Sequence, residues 1–388
     1  MTACVTSNAG PHSEAQLYRA KGRPFGFGSG AEPNPPQAAA VKAVVMNDHC
    51  PTIREIELLT SHASFTAADL PARKHRTLQT LDKEFEVVIA GGGIAGLTAA
   101  LVSARLGRKT LVLAGKALGG LLLSIEKIEG FPGYADGIPG YELCPIIQEQ
   151  AVAAGVEFAM TDLRRVEAQG NGWNAKTAQG DMHARALVLA TGSTLKEMGV
   201  PGETRLRGKG VSYCASCDAP LLRNRTVAVV GGGDSALQES LTLAAFAERV
   251  IVLARGEKLS AQMVYRNRVA EHPKIEIRFA TVVEQILGAE KVTGARIRDT
   301  AGDAAADLEL AALFVYIGLQ PNTEFLKGLM RLDPSGRIPA DDQMRTELRG
   351  VFAAGVVRSG SAGRAVASAG DGTTAAVAAD RFLADGDW

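Results

Sequence analysis

The residues with the clearest chemistry are Cys214, Cys217 and Asp218, which lie in the stretch GVSYCASCDAP. Two cysteines at this spacing can close a disulfide without a change of backbone, and neighbouring thiols can lower the pKa of one another, so that thiolate exists near neutral pH. The adjacent carboxyl group is a candidate general acid that protonates a leaving thiolate. The stretch therefore predicts a redox dithiol.

A metal site and a structural disulfide are the alternative interpretations of this pair. Zinc normally needs four ligands, but the body of the chain has no second CxxC and only two histidines, His183 and His272. A disulfide across so short a loop restrains the unfolded chain little. We therefore predict no metal, and a redox role for the pair.

Composition narrows the classes of partner. The 388 residues include 42 basic and 42 acidic side chains, so no overall charge attracts nucleic acid or an anionic membrane. No apolar run is long enough to span a bilayer, and the first residues lack the pattern of a secretory signal. The five cysteines do not resemble the disulfide scaffold of a secreted protein. We expect a cytoplasmic protein whose partners are small molecules or another protein.

Two repeats of strand, glycine turn, helix and strand must position the dithiol. The first reads FEVVIA, GGGIAG, LTAALVSARLG and TLVLA, and the second reads TVAVV, GGGDSA, LQESLTLAAFA and RVIVLA. Short apolar runs of this kind are typical of buried parallel strands, and each pattern is a βαβ unit. The sequence thus predicts an α/β fold that binds two nucleotides.

In the first turn, Gly91 permits the tight turn, Gly93 lets the backbone approach a pyrophosphate, and Gly96 lets the helix pack closely on the strand. The acid that usually binds the ribose at the end of the second strand is missing, because Ala114, followed by Gly115 and Lys116, stands there. Another group must hold the ribose.

The second turn has alanine in the third small position, a common variant of the same construction. Ala254 stands where an acid would select the 2′-hydroxyl of NAD, and Arg255 is well placed for a 2′-phosphate. The turn consists of Gly231, Gly232, Gly233, Asp234, Ser235 and Ala236.

From about residue 84 the chain resembles the low-molecular-weight thioredoxin reductases. The matching pieces are the two glycine turns, IEGFPGYADGIPGYEL, LVLATGS, CASCD, HPKIEIRFAT, FVYIGLQPNT, GVFAAG and ASAGDGTTAA, in the order of the family. The resemblance implies FAD, with NADPH or NADH as donor, thioredoxin or a similar small disulfide protein as partner, and a homodimer.

The resemblance also implies a domain organisation. Two Rossmann-like, three-layer domains are expected, the second inserted in the first: an FAD-binding domain over 84–200 and 322–388, and an NAD(P)H-binding and dithiol domain over 201–321. The family rotates the inserted domain about two linkers, here near 199–202 and 318–322. Residues 1–83 are expected to form an irregular extension.

Roles for individual residues follow by motif. Cys217 is expected to face the flavin, Cys214 to attack the disulfide of the partner, and Asp218 to manage the protons. Beyond the two turns and Arg255, the resemblance implies further cofactor-binding residues: Gly119, Gly120, Thr191, Gly192, Gly355, Arg364 and Ala365.

Departures from the family leave alternatives open. Val356 replaces the aspartate that hydrogen-bonds the ribityl chain of FAD, and Leu121 removes an amide near the flavin. The arginine-rich NADPH signature is reduced to Arg255. A ferredoxin-dependent or oxygen-dependent dithiol oxidoreductase, or a non-catalytic redox-responsive flavoprotein, are therefore alternatives to an NAD(P)H-dependent reductase.

Overall fold

The computed structural model describes residues 84–388, which belong to one compact unit. The irregular extension predicted over residues 1–83 lies outside the described residues. Within the described part, no helix is long and apolar enough to cross a membrane.

The elements alternate as the sequence predicts. The strands are β1 (Glu84–Ala90), β2 (Thr110–Leu113), β3 (Glu157–Ala159), β4 (Leu163–Gln169), β5 (Gly172–Thr177), β6 (Gly180–Leu189), β7 (Ser193–Leu195), β8 (Val211–Ser212), β9 (Thr226–Val230), β10 (Arg249–Leu253), β11 (Ile275–Arg278), β12 (Thr281–Leu287), β13 (Gly294–Asp299), β14 (Ala305–Glu309), β15 (Ala312–Val315), β16 (Leu319–Pro321) and β17 (Val351–Ala353). The helices are α1 (Ile94–Arg105), α2 (Gly140–Ala153), α3 (Ala215–Asp218), α4 (Asp234–Ala244), α5 (Met263–Ala270) and α6 (Ala365–Asp385).

The first sheet has seven strands in the order β3-β2-β1-β6-β5-β4, with β17 also paired to β6. Strands β3, β2, β1, β6 and β17 are mutually parallel, whereas β4 and β5 extend the sheet antiparallel to β6. Val87, Val88 and Ile89 are fully buried, as expected for a parallel strand covered on both faces. One of the two buried clusters on this sheet includes residues of α1 and α6.

The second sheet has five parallel strands in the order β11-β10-β9-β15-β8, and α4 follows its central strand β9. A three-stranded antiparallel sheet, β12-β13-β14, packs beside it and shares a buried cluster with it. Both glycine turns thus lie between a parallel strand and a helix. The predicted α/β fold with two Rossmann-like units is confirmed.

The chain passes from the first sheet to the second along β7 and returns along β16, and these two strands pair antiparallel. Flanking backbone bonds extend the pairing, because Lys196 N–H donates to the Gly318 carbonyl and Asn322 N–H to the Gly192 carbonyl, both at 3.0 Å. The two crossings therefore form one narrow ribbon. The boundaries of the inserted domain at 200/201 and 321/322 stay predictions.

Candidate active site

Cys214 and Cys217 form a disulfide with their Cα atoms 5.4 Å apart. The pair begins at the end of β8, and backbone hydrogen bonds fix the short helix α3 there: Ala215 N–H donates to the Tyr316 hydroxyl at 3.0 Å, and Cys214 N–H to the Ser212 hydroxyl at 3.1 Å. Cys214 is half-buried and Cys217 is exposed. Cys217 is thus the more accessible residue of the pair in this arrangement.

Tyr316 and Asp218 are ionisable groups at this anchor. Burial raises the pKa of Tyr316, and the carboxylates of Glu239 and Asp218 raise it further, so the phenol stays protonated. Asp218 is half-buried at the end of α3, directly after Cys217. The structure brings it beside the cysteines, as its position in the sequence requires.

Cys144 is the free cysteine among the described residues. It is buried beneath Gly119, and burial raises the pKa of its thiol to about 11. A thiol with so high a pKa is a poor nucleophile near neutral pH. Cys144 is therefore a packing residue.

A cavity of about 810 Å³ lies between the first glycine turn and the dithiol. Its size is in the range of about 300–1,000 Å³ that small-molecule sites occupy. Among the residues predicted from the sequence, it brings together Gly91, Gly93, Gly119, Gly120, Thr191, Gly192, Cys214, Ser235, Gly355, Arg364 and Ala365. The remaining predicted residues are outside its lining: Gly96, Cys217, Asp218, Gly231, Gly233, Asp234, Ala236 and Arg255.

The first turn fits the pyrophosphate of a dinucleotide. A Cβ atom at Gly91 would lie 2.1 Å from the Ala190 carbonyl oxygen, and one at Gly96 would lie 1.9 Å from the Gly91 carbonyl oxygen, so both positions require glycine for packing. A Cβ atom at Gly93 would meet nothing within 4 Å. Its bare backbone and the N-terminus of α1 instead face open cavity, where a phosphate group binds favourably.

The second turn repeats this construction. Gly119 N–H donates to the Gly92 carbonyl at 2.7 Å in the first unit, and Ser260 N–H donates to the Gly232 carbonyl at 2.8 Å in the second. A Cβ atom at Gly231 would lie 2.2 Å from the Tyr316 carbonyl oxygen. The second turn thus shares two features with the first: a backbone hydrogen bond to its second glycine, and a first glycine that has no room for a side chain.

Asp234, at the start of α4, accepts hydrogen bonds from Gln262 N–H at 2.7 Å and from Arg364. Burial opposes the ionised form, but the hydrogen bonds from Gln262 and Arg364 outweigh it and lower the pKa of Asp234. The aspartate is therefore ionised and joins the second turn to Arg364, which directly precedes α6.

Further polar contacts connect the two nucleotide units around the cavity. The Ser216 hydroxyl donates to the Ser124 carbonyl at 3.1 Å, and Arg268 donates to both carboxylate oxygens of Glu129 at 3.0 Å. These contacts could not be predicted from the sequence, because each pair joins segments that are far apart in the chain.

Glu239 is a second feature that the sequence did not reveal. Its side chain lines the cavity although the residue is only 9% exposed. Burial and, to a lesser degree, the charge of Glu126 raise its pKa to about 7. A carboxyl group that changes protonation near neutral pH therefore lies at the site.

Glu203 is almost completely buried in the segment that leads to the dithiol. Its carboxylate accepts from the backbone N–H groups of Met198 and Gly199 at 3.0 and 2.7 Å, and from the Tyr213 hydroxyl at 2.7 Å. Burial, together with the hydrogen bond to Glu203, raises the pKa of Tyr213 to about 12. Glu203 thus connects a predicted linker to the residue before Cys214.

Val356 lines the cavity at the position of the missing aspartate, and Leu121 also borders it. Buried Asp371 fixes the backbone of this loop. It accepts hydrogen bonds from Gly355 N–H at 3.1 Å and from two nitrogens of Arg358 at 2.7 and 2.8 Å. The loop is therefore fixed in place without a carboxylate facing the cavity.

Two glycine turns and a disulfide beside the first of them define a nucleotide-dependent disulfide oxidoreductase. A family model described as pyridine nucleotide-disulphide oxidoreductase matches residues 85–372, so the chain belongs to this family of enzymes. The family implies FAD and a pyridine nucleotide, and the cavity and the first turn fit the FAD.

Within this family the chain belongs to the thioredoxin reductases. It is 37% identical over 303 residues to the thioredoxin reductase of Treponema pallidum, an alignment that covers 78% of this chain and 98% of the relative. The Lactococcus lactis thioredoxin reductase, in the form described as its FR conformation, is 34% identical with a TM-score of 0.76, over 78% of this chain and 99% of that one. The Streptococcus pyogenes thioredoxin reductase is 33% identical over the same shares, with a TM-score of 0.54.

Proposed function

We propose that this protein is a thioredoxin reductase that uses NADPH. FAD, when bound, would couple hydride transfer from the nicotinamide nucleotide to reduction of the Cys214–Cys217 disulfide. The observation that carries the proposal is the disulfide at the edge of the glycine-lined cavity.

The cysteines and Asp218 perform the chemistry on the partner. Reduction of the disulfide takes up two electrons and two protons and yields two thiols. The thiolate of Cys214 attacks the disulfide of the partner, and the thiolate released from the partner takes a proton from Asp218. Cys217 then attacks Cys214 in the mixed disulfide, so that the partner leaves reduced and the Cys214–Cys217 bond forms again.

These roles require more than one arrangement of the two units. Here Cys214 lines the cavity and Cys217 is exposed, whereas Cys217 is the cysteine assigned to the flavin. The two solved relatives have nearly equal identity and coverage but TM-scores of 0.76 and 0.54. This difference supports a rotation of one unit relative to the other, with the β7–β16 ribbon at the connection.

Serine variants of the cysteines test this function. We expect Cys214→Ser and Cys217→Ser each to abolish NADPH-dependent reduction of a thioredoxin disulfide while the protein still binds FAD. Cys144→Ser is the matched control and should keep turnover, because Cys144 packs outside the dithiol. Full turnover in either dithiol variant would overturn the proposal.

The preference for NADPH rests on Arg255. It is exposed just beyond β10, and it makes no hydrogen bond or ion pair with another residue in the part of the chain described. Loss of one charge-assisted contact of about 1.5–3 kcal/mol corresponds to roughly 10- to 100-fold in affinity. Arg255→Ala should lower kcat/KM for NADPH by about that factor and leave kcat/KM for NADH unchanged; an equal fall for both would contradict the role.

A ferredoxin-fed or oxygen-using enzyme is the second candidate, favoured by the loss of the other arginines around Ala254 and Ser260. It predicts that neither NADPH nor NADH bleaches the flavin under anaerobic conditions. The resemblance further supports a homodimer in the cytoplasm, which sedimentation of the purified protein and fractionation of cells would test.

A further inference from the structure

The first nucleotide unit lacks the acid that normally binds a ribose. Ala114, directly after β2, holds that position at the lining of the cavity, and its methyl side chain supplies no hydrogen-bond acceptor. A carboxylate at this place ordinarily accepts hydrogen bonds from the ribose hydroxyls. The hydroxyls of an adenosine bound by the first turn therefore need a partner from another element.

Asp162 lies at the same edge of the sheet. It follows β3, which pairs in parallel with β2 so that Leu113 faces Ala159, and the ends of the two strands therefore coincide. Two backbone hydrogen bonds hold the following segments together: Ala114 N–H donates to the Ala159 carbonyl at 2.8 Å, and Gly115 N–H to the Thr161 carbonyl at 3.1 Å.

The carboxylate of Asp162 lies beside the vacant side-chain position of Gly115. A Cβ atom built on Gly115 would lie 2.9 Å from Asp162 Oδ1, and Gly115 has a φ of +72°. The glycine thus leaves room for the carboxylate next to the residue that replaces the usual acid. The sequence did not reveal this proximity, because Ala114 and Asp162 are 48 positions apart. Only the pairing of β2 with β3 brings them together.

Asp162 is also free to bind a ligand. Both Asp162 and Gly115 line the cavity, and Asp162 is exposed. Within residues 84–388 its carboxylate makes no hydrogen bond or ion pair. An aspartate that faces a cavity without a protein partner has its acceptor capacity open to hydroxyl donors.

The second unit offers a comparison within the same chain. There Leu253 faces Arg278 and Ala254 N–H donates to the Arg278 carbonyl at 2.9 Å, the same relation as between β2 and β3. The position that corresponds to Asp162 is Thr281, which is buried. The carboxylate is thus present in the unit assigned to FAD and absent at the matching position of the unit assigned to NADPH.

We propose that Asp162 binds the ribose hydroxyls of the adenosine half of FAD, in place of the acid missing at position 114. The inference rests on the proposed function, since it requires that FAD occupies the first unit. Asp162 is a binding residue for the cofactor and takes no part in the transfer of electrons.

Binding of FAD to the full-length chain, stripped of bound flavin, tests this role. The dissociation constant is measured by flavin fluorescence for the wild type, Asp162→Asn and Asp162→Ala, with FAD and with its 2′-deoxyadenosine analogue. We expect Asp162→Ala to weaken FAD binding by about 10- to 100-fold. The analogue should bind the wild type more weakly than FAD does, but should lose little further affinity on Asp162→Ala, because both changes remove the same hydrogen bond.

Two controls separate the possible outcomes. Asp342→Ala removes an exposed aspartate outside the cavity lining and should leave the FAD affinity unchanged. If the wild type binds FAD and Asp162→Ala binds it equally well, or if the two losses simply add, this inference is wrong and the proposed function stands. If the folded wild type binds no FAD, both fail. The analogue needs no variant, so its result with the wild type holds even if a substitution disturbs folding.

Discussion

The buried ion pair of Arg358 and Asp371 should be a main determinant of the stability of the cofactor-binding loop. The side chains are 18% and 7% exposed, and Asp371 accepts three hydrogen bonds, two from Arg358 and one from Gly355 N–H. Asp371→Ala would leave a buried guanidinium without its counter-charge and a buried N–H group without its acceptor. Removal of one partner of such a pair destabilises a protein by about 3–5 kcal/mol.

Urea denaturation of the flavin-free protein, followed by circular dichroism, measures this loss. Arg358→Leu should lose a similar amount, and the double variant Arg358→Leu/Asp371→Ala should lose less than the sum of the single changes, because no buried charge remains unpaired. Asp307→Ala breaks the exposed pair with Arg296 and is the matched control, expected to leave stability within error.

A loss of less than about 1 kcal/mol for Asp371→Ala, similar to that of an exposed pair, would refute this reasoning. An additive double variant would also contradict it, since additivity would mean that the two side chains act independently. The expected result would establish that the ion pair of Arg358 and Asp371 stabilises the loop that carries Val356.

Three further predictions concern the cavity. Val356→Asp should raise the affinity for FAD about 10-fold or more in a fluorescence titration, because it restores a charge-assisted hydrogen bond; unchanged affinity would show that no ribityl hydroxyl lies there. Gly93→Ala should keep the stability of the fold but weaken FAD binding, since a methyl group would project into open cavity, whereas Gly96→Ala should destabilise the fold because its Cβ would lie 1.9 Å from a backbone oxygen. Glu239 has a pKa raised from 4.5 to about 7, so the folded state binds its proton more tightly than the unfolded state. Its stabilising contribution, about 3 kcal/mol, is therefore present below pH 4.5 and is lost as the pH rises through 7. Glu239→Gln should remove this part of the pH dependence in denaturation experiments, and an unchanged profile would contradict the assignment.

The features that the sequence predicted are those with local causes. The GxGxxG spacing reflects steric requirements within one turn. At Gly91 and Gly96 the structure leaves no room for a Cβ atom, because nearby backbone oxygens would lie too close to it. The Cys214–Cys217 disulfide likewise depends on a separation of three residues. Periodicity and spacing suffice for such features.

The features that the sequence did not predict depend on pairing and packing over long distances. Asp162 reaches the cavity only because β3 pairs with β2, and the raised pKa of Glu239 depends on burial and on the charge of Glu126, which is far away in the sequence. The placement of Cys214 in the cavity lining also depends on how the two units are arranged. No periodic or local pattern encodes these relations.

An anaerobic titration with NADPH tests the central claim, that FAD and the Cys214–Cys217 pair exchange electrons. Each centre takes up one electron pair, so the wild type should consume about two equivalents of NADPH per flavin, and the variant with both cysteines replaced by serine about one. Equal consumption of about one equivalent by both proteins would contradict the account, because the disulfide would then receive no electrons from the flavin.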